Sequence, residues 1–264
     1  VSENKLVLHN LSKSFSSATV VKDLNLTVKQ GELYGFLGPN GSGKTTTMKM
    51  ICGLLEPSRG SVEVAGFDVW KHPLEAKKRL AYVPDQPLLY EKLSGEEYLS
   101  FIASVFHIHQ DEFQERKDKY VEWFDLQGQL SQWIESYSHG MKQKLSLVAA
   151  LIHQPDIIFL DEPTVGLDPK AARVMKNLLR ELCDNDGLTV FMSTHILEIA
   201  EQMCDRIGII RNGEWIAEGT MEQLRSKEGA QDSSLEELFL SLTSQEAGVQ
   251  SMINEMKQGE EGPS

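Results

Sequence analysis

In the first third of the chain, apolar residues fall in short runs separated by turn residues. The runs read as strands: KLVL (5–8), LNLTV (24–28), LYGFL (33–37), SVEV (61–64) and LAYV (80–83). A helix is predicted from the end of LYGFLGPNGSGKTT through TMKMICGLL, stopping before Pro57. From about Asp85 to Gln154 the period becomes helical. Ser94 and Glu97 form a capping-box pair, and Tyr98, Phe101, Ile102, Val105 and Phe106 then recur at the spacing of one helix face. Phe113, Tyr120, Val121 and Phe124 predict a second helix, and a third begins at Ser138. Strand texture returns in IIFL (157–160), TVFMS (189–193) and IGII (207–210), and RNGE (211–214) carries an Asn-Gly hairpin signal before WIAEG. Ser234 and Glu237 make another capping pair, ahead of an apolar stripe of Leu235, Leu238, Phe239 and Leu242. The pattern predicts an α/β domain over 1–242 with a helical block inserted at about 85–154, then an acidic tail over 243–264.

Composition narrows the class. The 264 residues are 41% hydrophobic and 25% charged, which suits a soluble globular protein. No apolar run approaches the ~18 residues that a membrane span needs, and no signal peptide opens the chain. A cytoplasmic protein is therefore expected, and Val1 in place of Met suggests a trimmed start. The net charge of −13 argues against nucleic acid as a partner. Part of that charge is local, since nine acidic and three basic residues follow from Met221 onward. Cys52, Cys183 and Cys204 are odd in number and widely spaced, and read as buried thiols in a reducing compartment.

Chemistry concentrates where strands are predicted to end. Gly38 to Thr45 fits G-x-x-x-x-G-K-[ST] between a strand and a helix, the setting in which that spacing cradles phosphate. Gly38, Gly41 and Gly43 free the backbone to wrap around oxygens, with Pro39, Asn40 and Ser42 between them. Lys44 is placed to reach the outer phosphates, and the Thr45 hydroxyl, with Thr46 beside it, to ligate Mg²⁺. IIFLDEP ends an apolar strand on two carboxylates: Asp161 suits the metal's water shell, and Glu162 a general base. His195 follows TVFMST at another strand end, where it can hydrogen-bond a phosphate or the attacking water. Plainer readings stand beside these: a structural glycine loop, an acidic strand cap and a lone polar histidine. Gln86, in YVPDQP, is weak evidence by itself.

Taken in order, Gly38–Thr45, Gln86, Ser138–Gly140, Asp161–Glu162, Asp168 and His195 resemble the nucleotide-binding domain of the ATP-binding cassette (ABC) family, over about Lys5 to Gly219. The resemblance implies a P-loop NTPase core with a mainly parallel sheet, an N-terminal antiparallel β part and an inserted helical subdomain. It also implies a head-to-tail dimer, homo- or heteromeric, with two ATP molecules at the interface. Ser138 and Gly140 would then meet the γ-phosphate held by the other subunit, a role suited to a free helix N-terminus. Further carried over are Gln86 as a Mg²⁺ contact and relay, Asp168 as a cross-dimer residue, and Phe15 with Val20 at the adenine. YSHGM departs from the family's Leu-Ser-Gly-Gly-Gln, with His139 and Met141 at the altered positions. SHGMKQK, STHIL and LEELFLSL are similar to bacterial exporter ATPases of the Ecs type.

The function expected is that of an ATP- and Mg²⁺-dependent ATPase subunit, peripheral on the inner membrane face through a separate transmembrane partner. Rivals are a soluble ABC-type ATPase and a nucleotide-gated interaction module. PDQPLLYEKL sets Leu88, Leu89, Tyr90 and Leu93 beside Gln86, either as a docking surface for that partner or as a cap on the helical subdomain's own core.

Overall fold

The computed structural model describes residues 3–16, 18–165, 167, 169–227 and 234–242. Alternation builds the first layer. In β2 (Ala18–Lys29) the side chains of Val21, Leu24, Leu26 and Val28 point inward every second or third residue, against β1 (Asn4–Phe15). β1 also pairs with β4 (Arg59–Val64), and β4 with the short β5 (Phe67–Asp68), giving an antiparallel sheet in the order β2-β1-β4-β5.

Unbroken apolar runs build the second layer. Every residue of β3 (Leu33–Leu37), β7 (Ile157–Asp161) and β8 (Thr189–Thr194) is buried, as strands covered on both faces require. Together with β6 (Leu80–Val83), β9 (Arg206–Arg211) and β10 (Glu214–Gly219) they form a six-stranded sheet ordered β10-β9-β3-β8-β7-β6. All neighbours are parallel except the edge pair β10 and β9, joined through Asn212 and Gly213, both in the left-handed region (φ 52° and 80°). Phe191 on β8 stacks on Tyr34 at 5.4 Å and lies 5.8 Å from Phe159, an aromatic lock across three strands.

The helices follow in chain order. α1 (Lys44–Ile51) stops well short of Pro57, because Gly53 takes a left-handed φ of 65° and ends the apolar run early. α2 (Pro73–Arg79) precedes β6. Between β6 and β7 lie α3 (Gly95–Val105), α4 (Gln110–Trp123), a 3-10 turn at Ile134–Ser136 and α5 (His139–Ile152). The capping box at Ser94 is formed in both directions. α3 buries only part of the predicted stripe, Tyr98 fully and Ile102 in part. Tyr98, Leu99 and Ala103 are buried, whereas Phe101 and Val105 are 43% and 53% exposed. A five-residue stripe reads equally as a core face or as a second, outward apolar face, and α3 has both. α6 (Pro169–Asp186), α7 (Leu197–Met203), α8 (Met221–Lys227) and α9 (Leu235–Leu242) complete the set. The Ser234–Glu237 capping pair is present, and Leu235 and Leu238 are buried. The tail over 243–264 and the side chain of Leu242 lie outside the described residues. None of the helices is long and apolar enough to cross a membrane, among the described residues.

Candidate active site

Three parallel strands end together. β3 runs straight into the glycine loop, and register sets Leu37 beside Thr194 and Asp161 beside Ser193. The C-terminal edge of a parallel sheet, where loops diverge, is the usual place for a ligand crevice.

The loop is shaped by backbone that side chains cannot follow. Gly41 and Gly43 have φ of 79° and 108°. A Cβ on Gly38 would lie 2.3 Å from the Ile210 carbonyl oxygen and 2.6 Å from Ser42 Oγ. Pro39 accepts a hydrogen bond from the Ser42 N–H at 3.1 Å, closing the turn over Asn40 and Gly41. Lys44 folds back into this loop, its Nζ donating to the Gly38 carbonyl at 2.7 Å, and stands 3.8 Å from Glu162 Oε1. Burial lowers its pKa, while the Glu162 and Asp161 carboxylates oppose the shift. Thr45 is exposed and Thr46 half-buried on the first turn of α1. Ser42 Oγ is buried without a partner.

Asp161 is 2% exposed, and its Oδ1 accepts from Ser193 Oγ at 2.5 Å. Its Oδ2 is buried and has no partner. Burial pushes its pKa up, the hydroxyls of Ser193 and Thr45 pull it down, and the charges of Asp85 and Glu162 push it up again. This buried carboxylate stands among other carboxylates, with Lys44 as the neighbouring cation and one oxygen unused. No cluster of three His, Cys, Asp or Glu side chains that could hold a metal occurs among the described residues. The unused Oδ2 of Asp161 is chemically suited to Mg²⁺, which commonly takes one or two protein ligands and completes its shell with phosphate and water.

Glu162 sits just past β7 with a left-handed φ of 49°. Its N–H is shared between the Ser193 carbonyl at 3.1 Å and the Ser193 hydroxyl at 3.2 Å. Its Oε2 lies 2.9 Å from His195 Nδ1 and accepts from the His195 N–H at 3.3 Å, so both ends of one residue orient this carboxylate. The structure thus brings Lys44, Asp161, Glu162 and His195 to one sheet edge.

The other predicted residues lie around or apart from this group. Gln86 is exposed in the loop after β6, its N–H on Asp85 Oδ1 at 2.8 Å. Phe15 is 46% exposed near the β1–β2 turn, with the Lys13 ammonium 5.1 Å from its ring centre. Val20 is half-buried, and its carbonyl oxygen would lie 3.0 Å from a Cβ on Gly43. Ser138 is exposed as the N-cap of α5, accepting from the Met141 N–H at 3.3 Å, and Gly140 is half-buried in the first turn. Asp168 lies outside the described residues. Sequence reasoning passed over Ser193 and Asp85. Ser193 was within reach, because parallel strands of IIFLD and TVFMST length align the serine with Asp161 once their order is known.

The model of the ABC transporter family matches residues 21–165. The linearmycin resistance ATP-binding protein LnrL of Bacillus subtilis (strain 168) is 37% identical over 224 residues, 85% of this chain and 72% of its own. The ABC-type transporter ATP-binding protein EcsA of the same organism is 34% identical over 243 residues, 92% of this chain and 98% of its own. A solved ATP-binding subunit of an ABC transporter superposes with a TM-score of 0.86 at 36% identity, covering 90% of this chain and 99% of that one. The mixed parallel sheet, the antiparallel layer and the helical insertion are thus those of a known ATPase fold, and the chain belongs to the ABC transporter family as one of its ATP-binding subunits.

Proposed function

We propose that this chain hydrolyses ATP with Mg²⁺ at the convergence of β3, β7 and β8, and that turnover drives a separate transmembrane subunit as an exporter. The observation that carries the reading is Glu162, pinned 2.9 Å from His195 and 3.8 Å from Lys44, beside the unpartnered Oδ2 of Asp161. In this reading the loop from Gly38 to Thr46 and the start of α1 hold the phosphates, with Lys44 as the fixed charge among them. Thr45, Asp161 and Gln86 hold Mg²⁺, which when bound supplies neutralising charge to the phosphate oxygens. Glu162 accepts the proton of the attacking water, and His195 fixes the orientation of that carboxylate. Phe15 and Val20 flank the adenine. Ser138 and Gly140 act on the nucleotide of a second nucleotide-binding subunit, and Asp168 links the two subunits.

Export is favoured by the name of LnrL, a resistance protein. A membrane partner is favoured by the apolar surface next to Gln86. Leu88 and Tyr90 are 84% and 60% exposed, and the Tyr90 ring meets that of Phe101 edge-on at 5.5 Å. Behind them a cleft of about 480 Å³ runs between β6 and the helical insertion, lined by Leu88, Tyr98, Ile102 and Phe106 among others. Leu89 lines this cleft too while packing on the helical core, and Leu93 packs on that core, so the loop serves the core as well as the exposed surface. Docking there would hold the chain at the inner membrane face. Phosphate release measured with Mg²⁺, with EDTA and in Glu162→Gln tests the reading: hydrolysis that survives either loss would overturn it.

A further inference from the structure

A second cleft, of about 490 Å³, opens between α6 and α7 and is bounded by the segment that follows Glu162. Its polar lining is one-sided. Thr164 is 7% exposed, and its hydroxyl is buried without a hydrogen-bond partner. An unpaired buried hydroxyl is destabilising, and such a group calls for a partner. Arg173 makes no ion pair among the described residues, and the Lys176 ammonium donates only to the neutral Gln202 side chain, at 3.1 Å. Asn177 adds an amide, and Ile199 and Met203 form an apolar wall. No carboxylate lines the cleft among the described residues, although the chain has 39 acidic residues and 26 basic ones. α7 carries two acids outside the lining, Glu198 in its first turn and Glu201, the latter engaged by Arg225 at 2.7 Å.

We propose that this cleft binds a small oxyanion of the phosphate class, separate from the nucleotide. Its oxygens would accept from the Arg173 guanidinium and the Lys176 ammonium, and from the Thr164 hydroxyl once that side chain turns about χ1 into the cleft, a donor set suited to a tetrahedral anion. The site is placed to regulate. Thr164 follows Glu162 by two residues, α7 starts two residues after His195, and these two side chains touch at 2.9 Å. An anion that ties Thr164 to α6 and α7 shifts that contact without entering the sheet edge.

The test is binding, read apart from hydrolysis. Inorganic phosphate is titrated calorimetrically into protein saturated with a non-hydrolysable ATP analogue and Mg²⁺, at ionic strength held constant with chloride. Saturable binding of one phosphate per chain is expected, weakened at least tenfold in the Arg173→Gln, Lys176→Gln double variant and at least threefold in Thr164→Val. An unchanged isotherm in the double variant overturns the site, as does a chloride response equal to that of phosphate. Should the double variant lose its fold by circular dichroism, Arg173→Gln alone carries the same comparison. Should the analogue fail to bind, the proposed nucleotide reading suffers, but the difference between wild type and Arg173→Gln still reports this cleft. A short alkyl phosphate that binds tighter than the free ion assigns the Ile199–Met203 wall to an ester; equal affinity assigns the site to inorganic phosphate.

Discussion

Two helix starts in this chain follow glycine-bearing or hydroxyl-bearing turns, and they differ in everything around them. The start of α1 is enclosed: Lys44 is buried, Asp161 keeps an unused oxygen nearby, and Glu162 and His195 converge from two more strands. The start of α5 is bare. Ser138 is exposed and caps its own helix, and no hydrogen bond among the described residues ties it to the phosphate loop. One carries groups whose charges and lone pairs are unbalanced within the chain. The other is balanced by itself and offers only spare N–H groups and a positive dipole end to something outside. In the proposed reading, a site with its chemistry on one surface and a helix end suited to an anion on another becomes whole when a second nucleotide-binding subunit faces the first.

The strongest way to break this contrast is at the carboxylate. Glu162→Gln keeps the loop and the side-chain volume and removes only the carboxylate charge beside Lys44, so ATP affinity should stay within a few-fold while phosphate release falls about 10²–10⁴-fold, the span of general base catalysis. Near-normal turnover would take the chemistry away from this edge. Lys44→Ala should weaken ATP binding itself by about 10–100-fold, as loss of a charged hydrogen-bond donor does; equilibrium dialysis with labelled ATP measures it. Ser138→Arg belongs to the other helix start. It should leave the affinity of a single chain for ATP unchanged, lower turnover by about tenfold or more, and abolish ATP-induced dimerisation of the Glu162→Gln protein by light scattering. A drop in single-chain affinity like that of Lys44→Ala would merge the two regions into one.

Smaller effects sharpen the comparison. The folded pKa of Asp161 is raised, so the folded state holds its proton more tightly than the unfolded chain and ionisation costs stability at neutral pH. Asp161→Asn should therefore stabilise the ligand-free protein by about 1 kcal/mol in urea melts at pH 7 while removing Mg²⁺-dependent turnover. The gain should shrink as the pH falls through the raised pKa of Asp161. A destabilised variant would mean that the carboxylate is satisfied without metal. Least of all, Leu88→Glu should change stability by under about 0.5 kcal/mol, since this side chain is 84% exposed. Its effect is expected on copurification with the membrane subunit, and retention of that partner would move docking elsewhere.

The strands and the helical insertion were legible because period and apolar run length change sharply along the chain. The contents of the sheet edge were less so. Lys44 stands out in sequence through its glycine-loop motif and Asp161, Glu162 and His195 as strand ends; without the family resemblance, that they meet depends on β3 lying next to β8 and β8 next to β7, an order that no local pattern encodes. The left-handed backbone of Glu162 is invisible for the same reason, since it follows from the hold of Ser193 on its N–H. On α3, periodicity found a stripe but could not tell inside from outside, because Phe101 and Val105 are apolar for a surface rather than for the core. At Leu88 to Leu93 the alternation of exposed and packed side chains follows the turn of an irregular loop, where neither helix nor strand spacing applies.

The hairpin between β9 and β10 also bears on how the protein is made. The Gly213 N–H donates to the Ser42 carbonyl at 2.9 Å, and the Gly213 carbonyl accepts from the Lys22 N–H at 2.8 Å. A Cβ at Gly213 would strike the Val20 carbonyl oxygen at 2.2 Å, so only glycine fits where the turn, the glycine loop and the antiparallel layer touch. During synthesis the glycine loop leaves the ribosome before this brace does, because Ser42 lies far upstream of Gly213. A nascent or truncated chain that stops before Gly213 carries every residue of the phosphate loop and lacks the strut that braces it.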